Sequence, residues 1–163
     1  MVLMGVAGCG KSSVGAALAT RLGATYSDGD DLHPPANIEK MSRGVALNDD
    51  DRWPWLTLVG QALAEGEGRR IIGCSALKRV YRAHITQTTG GSVTFIHLAG
   101  TPEVIKARMS ARQGHFMPTG LLASQFAALE PPEADENAFS VDIDRPLAAI
   151  VDAIVAQLGG MER

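Results

Sequence analysis

The chain holds only two cysteines, Cys9 and Cys74, far apart in its 163 residues. That is too few and too scattered for a disulfide framework or a zinc site, and it suits buried, reduced thiols. No apolar run approaches the ~20 residues needed to span a bilayer. No run of Lys or Arg occurs either. Fifteen Lys and Arg against eighteen Asp and Glu leave a net charge of −3 and a pI near 5.8, which argues against a nucleic-acid-binding surface. No charged segment or cleavage signal precedes the first apolar residues, so a cytoplasmic protein without membrane attachment is expected. Repeats and low-complexity tracts are missing as well. What remains is an ordinary globular composition, 45% hydrophobic and 20% charged, expected to fold as one domain over residues 1–163.

Against this plain background one segment stands out. Gly5-Val6-Ala7-Gly8-Cys9-Gly10-Lys11-Ser12 is a complete G-x-x-x-x-G-K-S phosphate-binding loop. Its glycines permit positive φ, so that backbone N–H groups turn inward around phosphate oxygens. Lys11 brings a cation to the β- and γ-phosphates, and the Ser12 hydroxyl suits the Mg²⁺ that bridges them. The flanks agree: Met1 to Met4 reads as a strand, and Val14, Leu18 and Leu22 recur at helical spacing. A nucleoside triphosphate is the expected ligand, with Gly8, Cys9, Gly10, Lys11, Ser12 and Ser13 around its phosphates.

Short apolar runs alternate with helical patterns along the rest of the chain. Strands are predicted at Val2–Met4, Thr25–Ser27, Arg70–Gly73, Val93–Leu98 and Phe139–Ile143. Helices are predicted near 11–22, 53–65, 77–88, 102–112 and 118–129. A final helix carries the stripe Leu147, Ile150, Val151, Ile154 and Leu158. Such alternation implies an α/β fold, a parallel sheet with helices on both faces. Ligands of open parallel sheets bind at the carboxyl ends of the strands. The phosphate loop, Asp28-Gly29-Asp30-Asp31-Leu32-His33, Cys74-Ser75-Ala76-Leu77-Lys78 and Asp144-Arg145 all follow strands, so reactive residue types cluster where a site belongs.

Several side chains carry competing readings. Asp28 and Asp30, two apart at a strand exit, share a face. Asp28 suits a hold on Mg²⁺ and Asp30 suits acceptance of a hydroxyl proton; Asp28-Gly29 also reads simply as a turn. Arg52 follows an acidic run that fits a helix start, yet an anionic substrate needs a fixed cation. Trp53 and Trp55 suit packing. Lys78 and Arg82, spaced i and i+4, form either a solvated basic face or a substrate contact, with Lys78 nearer the strand end. Gln113 to Pro118, bounded by glycine and proline, suits a mobile lid extending over roughly 112–130.

Taken together, these blocks resemble the gluconate kinases of the small P-loop type, similar in build to shikimate kinase and nucleoside monophosphate kinases. The resemblance rests on Gly5 to Ser12, Asp28 to Pro34, Asn37 to Met41, Leu47 to Arg52, Cys74 to Lys78, Ala111 to Phe116, Leu122 to Pro132 and Val141 to Asp144. It implies a P-loop kinase fold with a five-stranded parallel sheet and a mobile lid. It also implies ATP- and Mg²⁺-dependent transfer of the γ-phosphoryl group to the 6-hydroxyl of D-gluconate, in a homodimer. Lys11, Asp30 and Arg112 are then the catalytic set, Ser12 and Asp28 hold the metal, and Arg108 and Asp144 lie by the adenine. Asp30, His33, Arg52, Lys78 and Arg82 become the substrate contacts. Cys9 stands where the family more often has serine, and the first strand is short.

Overall fold

The computed structural model describes residues 1–111 and 119–162. Five parallel strands form one sheet: β1 (Val2–Met4), β2 (Thr25–Asp28), β3 (Arg70–Gly73), β4 (Phe95–Ala99) and β5 (Ala138–Asp142). Their spatial order is β2-β3-β1-β4-β5, with β1 between β3 and β4. The chain therefore leaves β1 toward one side of the sheet and later crosses to the other. That reversal opens a crevice at the carboxyl end of β1, where the phosphate loop begins. Short as it is, β1 pairs on both edges, Val2 with Ile72 and with Phe95. All three of its residues are fully buried, as a strand covered on both faces requires.

The helices are α1 (Lys11–Leu22), α2 (Pro35–Ser42), α3 (Asp49–Ala64), α4 (Arg79–Thr89), α5 (Pro102–Ala111), α6 (Thr119–Ala128) and α7 (Leu147–Met161). Among the described residues, none is long and apolar enough to cross a membrane. The α7 stripe buries Ile150, Val151 and Ile154, each worth ~1.5–3 kcal/mol in removed apolar surface, whereas Leu147 at its start stays exposed.

Three boundaries depart from expectation for identifiable reasons. Helix α2 is unforeseen; Pro35 occupies its first turn, where its missing N–H costs nothing. Helix α3 begins at Asp49, four residues early. Asn48 and Asp51 form a reciprocal capping box, the Asn48 side chain accepting from Asp51 N at 2.8 Å and Asp51 accepting from Asn48 N at 2.9 Å. Pro54 thus lies inside the helix, and Arg52 on its first turns. Helix α4 starts at Arg79 instead of residue 77, because Ala76 takes a left-handed φ of 43° and Lys78 is the extended N-cap.

Candidate active site

The phosphate loop joins the end of β1 to α1. Gly8 and Gly10 have φ of +81° and +99°, and a Cβ on Gly8 would fall 2.7 Å from Met109 Cγ, so both conformation and space require glycine. Gly10 caps α1 without a side chain, which leaves the helix N-terminus open to an anion. Lys11 Nζ donates to the carbonyls of Gly5 (3.0 Å) and Val6 (3.2 Å), folding the loop back on itself. Cys9 is buried, its Sγ 3.8 Å from Lys11 Nζ.

Beside the loop, each carboxylate oxygen of Asp28 has its own contact. Its Oδ1 accepts from Asp30 N at 2.9 Å and caps the 3₁₀ turn Gly29–Leu32, while Oδ2 accepts from Ser12 Oγ at 3.3 Å. A hydroxyl and a carboxylate this close form a hard-oxygen pair suited to Mg²⁺, which takes one or two protein ligands and keeps several waters.

Asp30, His33 and Arg52 converge on one cavity of about 230 Å³, shared with Lys11, Ser75 and Gln125. His33 stacks on Trp55 with ring centroids 4.0 Å apart, and Trp55 Nε1 donates to Gly29 O. Asn37 Nδ2 donates to Asp51 O at 2.8 Å, which fixes it as the amide nitrogen; it therefore also donates to His33 Nδ1 at 3.2 Å. The ring proton then sits on Nε2, 3.9 Å from Asp30 Oδ1. Burial and the nearby Arg52 lower the His33 pKa to about 4, so the ring is neutral at pH 7. The Asp30 carboxylate is 71% open to solvent at the cavity mouth. The walls around it nonetheless withhold enough water to raise its pKa, with Lys11 opposing and Asp28 and Asp31 adding.

Arg52 has no such partners. Its Nε and Nη1 are buried without a hydrogen-bond partner among the described residues, and the guanidinium lies 5.4 Å from the Tyr81 ring centroid. A buried, unsatisfied guanidinium is costly, and its natural complement is an anion held bidentately. Lys78 differs. Its Nζ donates to Asp49 Oδ1 at 3.0 Å, and Asp49 also accepts from the Tyr81 hydroxyl. These two hydrogen bonds lower the Asp49 pKa, and Asp49 in turn raises that of Lys78. Lys78 lines an adjoining chamber that meets the main cavity at Arg52.

The structure puts Arg82 to a different use from the one expected. It is 2% exposed, its Nε and Nη2 donate to Glu136 at 2.6 and 2.8 Å, and Nη1 donates to the carbonyls of Ala76 and Leu77. With each nitrogen engaged, Arg82 holds the left-handed Ala76 turn in place and does not line the cavity. Arg108 donates to the carbonyls of Ile143 and Arg145 and lies over Gly10, so α5, the phosphate loop and the turn containing Asp144 meet at one edge. In that turn Asp144 N donates to Asp142 Oδ1 at 2.9 Å. Arg112 and residues 113–118 of the expected lid lie outside the described residues. The described remainder, α6, reaches the phosphate loop: Gln125 Oε1 accepts from Ala7 N at 2.7 Å. Sequence reasoning gave Gln125, Asn37 and Ser75 no individual role, although each lies in a block that carries the resemblance, since a side chain's partners across the fold are not written in its neighbours.

The neutral histidines set a pH dependence. Burial also lowers the pKa of His97 in β4 to about 4. Folded, each binds its proton well below the ordinary 6.5, so the unfolded chain takes up more protons between pH 6.5 and 4. Stability from this source is present above pH 6.5 and is lost as the pH falls toward 4, roughly 2 kcal/mol per histidine at pH 5. Urea unfolding at pH 7 and 5 should show a smaller acid loss in His97→Asn than in the parent. An equal loss would mean that His97 is not held neutral.

No family model matches the chain. It is 45% identical to the thermoresistant gluconokinase of Escherichia coli K12 over 158 residues, which cover 94% of this chain and 90% of that protein. Among solved structures it resembles a gluconokinase from Sinorhizobium meliloti 1021, with a TM-score of 0.91 and 47% identity over 98% of this chain and 91% of the other. Shikimate kinase from Aquifex aeolicus shares the fold at 18% identity and a TM-score of 0.64, with 99% and 96% of the two chains covered.

Proposed function

The chain belongs to the gluconokinases, and from that membership we propose how its residues transfer the γ-phosphoryl group of ATP to the 6-hydroxyl of D-gluconate, giving 6-phosphogluconate and ADP. The observation that carries the assignment of roles is Arg52, whose Nε and Nη1 are buried without a hydrogen-bond partner among the described residues, in a cavity that also holds Lys11 and Asp30. A carboxylate held there bidentately is neutralised and oriented at once. Lys78, already paired with Asp49, adds a second positive charge from the neighbouring chamber.

The opposite end of the acceptor lies toward Asp30. Its raised pKa makes the carboxylate a better proton acceptor, and the His33 Nε2–H faces its Oδ1 and steadies it. The transition state is loose, so aligning the hydroxyl counts as much as removing its proton. The N–H groups of the phosphate loop and Lys11 receive the charge of the polyphosphate, which requires Lys11 to leave the Gly5 and Val6 carbonyls. Ser12 and Asp28 would hold Mg²⁺, which when bound neutralises charge across the β- and γ-phosphates. Arg108 and Asp144 are assigned to the adenine end, and the family resemblance assigns Arg112, outside the described residues, to the phosphates. The family resemblance supports a cytoplasmic homodimer as the working form.

The assay is ADP release with gluconate, shikimate and nucleoside monophosphates as acceptors, in the parent and in Asp30→Asn. Gluconate should be the preferred acceptor, and Asp30→Asn should lower its turnover by about 10²-fold. A preference for shikimate or a nucleotide would overturn the assignment. Parent-like turnover in Asp30→Asn would reduce Asp30 to a capping residue.

A further inference from the structure

We propose that Gln125 is a specificity-determining substrate contact, its amide –NH₂ donating to a hydroxyl of the acceptor's polyol chain. Nothing in the motif pattern points to this residue; its placement does. Gln125 is half-buried on α6 and lines the same cavity as Lys11, Asp30 and Arg52. Ala7 N–H sits 2.7 Å from its Oε1, a bond that joins positions 118 residues apart.

A backbone N–H only donates, so the atom facing Ala7 must be the amide oxygen, and the usual ambiguity between the two ends of a glutamine side chain is removed. With the oxygen pinned to the phosphate loop, the –NH₂ is the group left for a ligand. It is a pure donor of fixed direction on a planar group, placed in a cavity whose charged members answer the two ends of the substrate. Arg52 suits the carboxylate, and Lys11 and Asp30 suit the end where phosphoryl transfer occurs. The hydroxyls between those ends need neutral partners. A site built to hydrogen-bond a hydroxyl discriminates strongly against analogues that lack it, because its own polar group is then left unpaired. The bond to Ala7 also ties α6 to the phosphate loop, so the donor is positioned by the element that binds the other substrate.

The inference rests on gluconate being the acceptor but not on Arg52 holding its carboxylate. The test is a cycle between side chain and substrate. kcat/KM is measured for gluconate and for its four analogues lacking the 2-, 3-, 4- or 5-hydroxyl, in the parent, Gln125→Met and Gln125→Glu. The methionine variant removes both amide functions at similar length; the glutamate variant keeps an oxygen for Ala7 N–H and loses the donor. In the parent at least one analogue should be used about tenfold less well than gluconate. That single penalty should collapse in Gln125→Met while the other penalties persist. A general structural role would scale all five substrates together. Penalties unchanged in both variants, or no penalty in the parent, would overturn the proposal. Failure of the Arg52 reading shows separately, as equal use of gluconate and glucose by the parent.

Discussion

Lys11→Ala should lower phosphoryl transfer by about 10³-fold or more while leaving the protein folded, because the ammonium serves charge that develops in the transition state. The structure adds a second consequence. In the free protein Lys11 Nζ donates to the Gly5 and Val6 carbonyls, so its loss also releases the phosphate loop from that folded-back form. Neutral side-chain hydrogen bonds to backbone are worth about 1 kcal/mol net, a small fraction of a domain's stability. Turnover and the thermal midpoint measured on the same preparation separate the two effects. Parent-like turnover in a folded Lys11→Ala protein would remove the loop from the catalytic centre.

Arg52→Met should show an unusual pairing of effects, lost activity with retained or raised stability. Truncating a buried contact to a charged ligand costs ~2–5 kcal/mol, so kcat/KM for gluconate should fall by a factor between about 30 and 5,000. In the free protein the same guanidinium has buried nitrogens without partners among the described residues. Replacing an unsatisfied buried charge by an apolar side chain of similar length is neutral or stabilising. A residue kept for folding would behave in the opposite way, losing stability first. Calorimetry without ligands, beside steady-state kinetics, distinguishes the two. A fall in midpoint of several degrees would make Arg52 a structural residue.

The division between what the sequence disclosed and what it hid follows from how far each signal reaches along the chain. The phosphate loop and α1 were readable residue by residue, since each position's job is local. Sheet membership was readable too: all five strands lie where apolar runs placed them, with ends shifted by one or two residues. Boundaries governed by side-chain caps were harder. The Asn48–Asp51 box draws α3 back over the three aspartates that read as a helix start just ahead of residue 53, and this places Arg52 on a helix at the cavity wall. Residues paired across long separations were hidden. Arg82 and Lys78 look alike in sequence, two cations four apart. Glu136 claims the first and Asp49 the second. Only folding shows that Arg52, beside them, keeps two buried nitrogens without a partner among the described residues. Gln125 was hidden for the same reason, its partner Ala7 lying at the other end of the chain.

The central claim is that a buried guanidinium selects an anionic sugar acid. The most direct measurement is kcat/KM for gluconate and for glucose, its uncharged relative, in the parent and in Arg52→Ala. The account predicts a strong preference for gluconate in the parent that largely disappears in the variant, with basal ATP hydrolysis little changed. Equal use of the two sugars by the parent, or a gluconate preference that survives in Arg52→Ala, would contradict it.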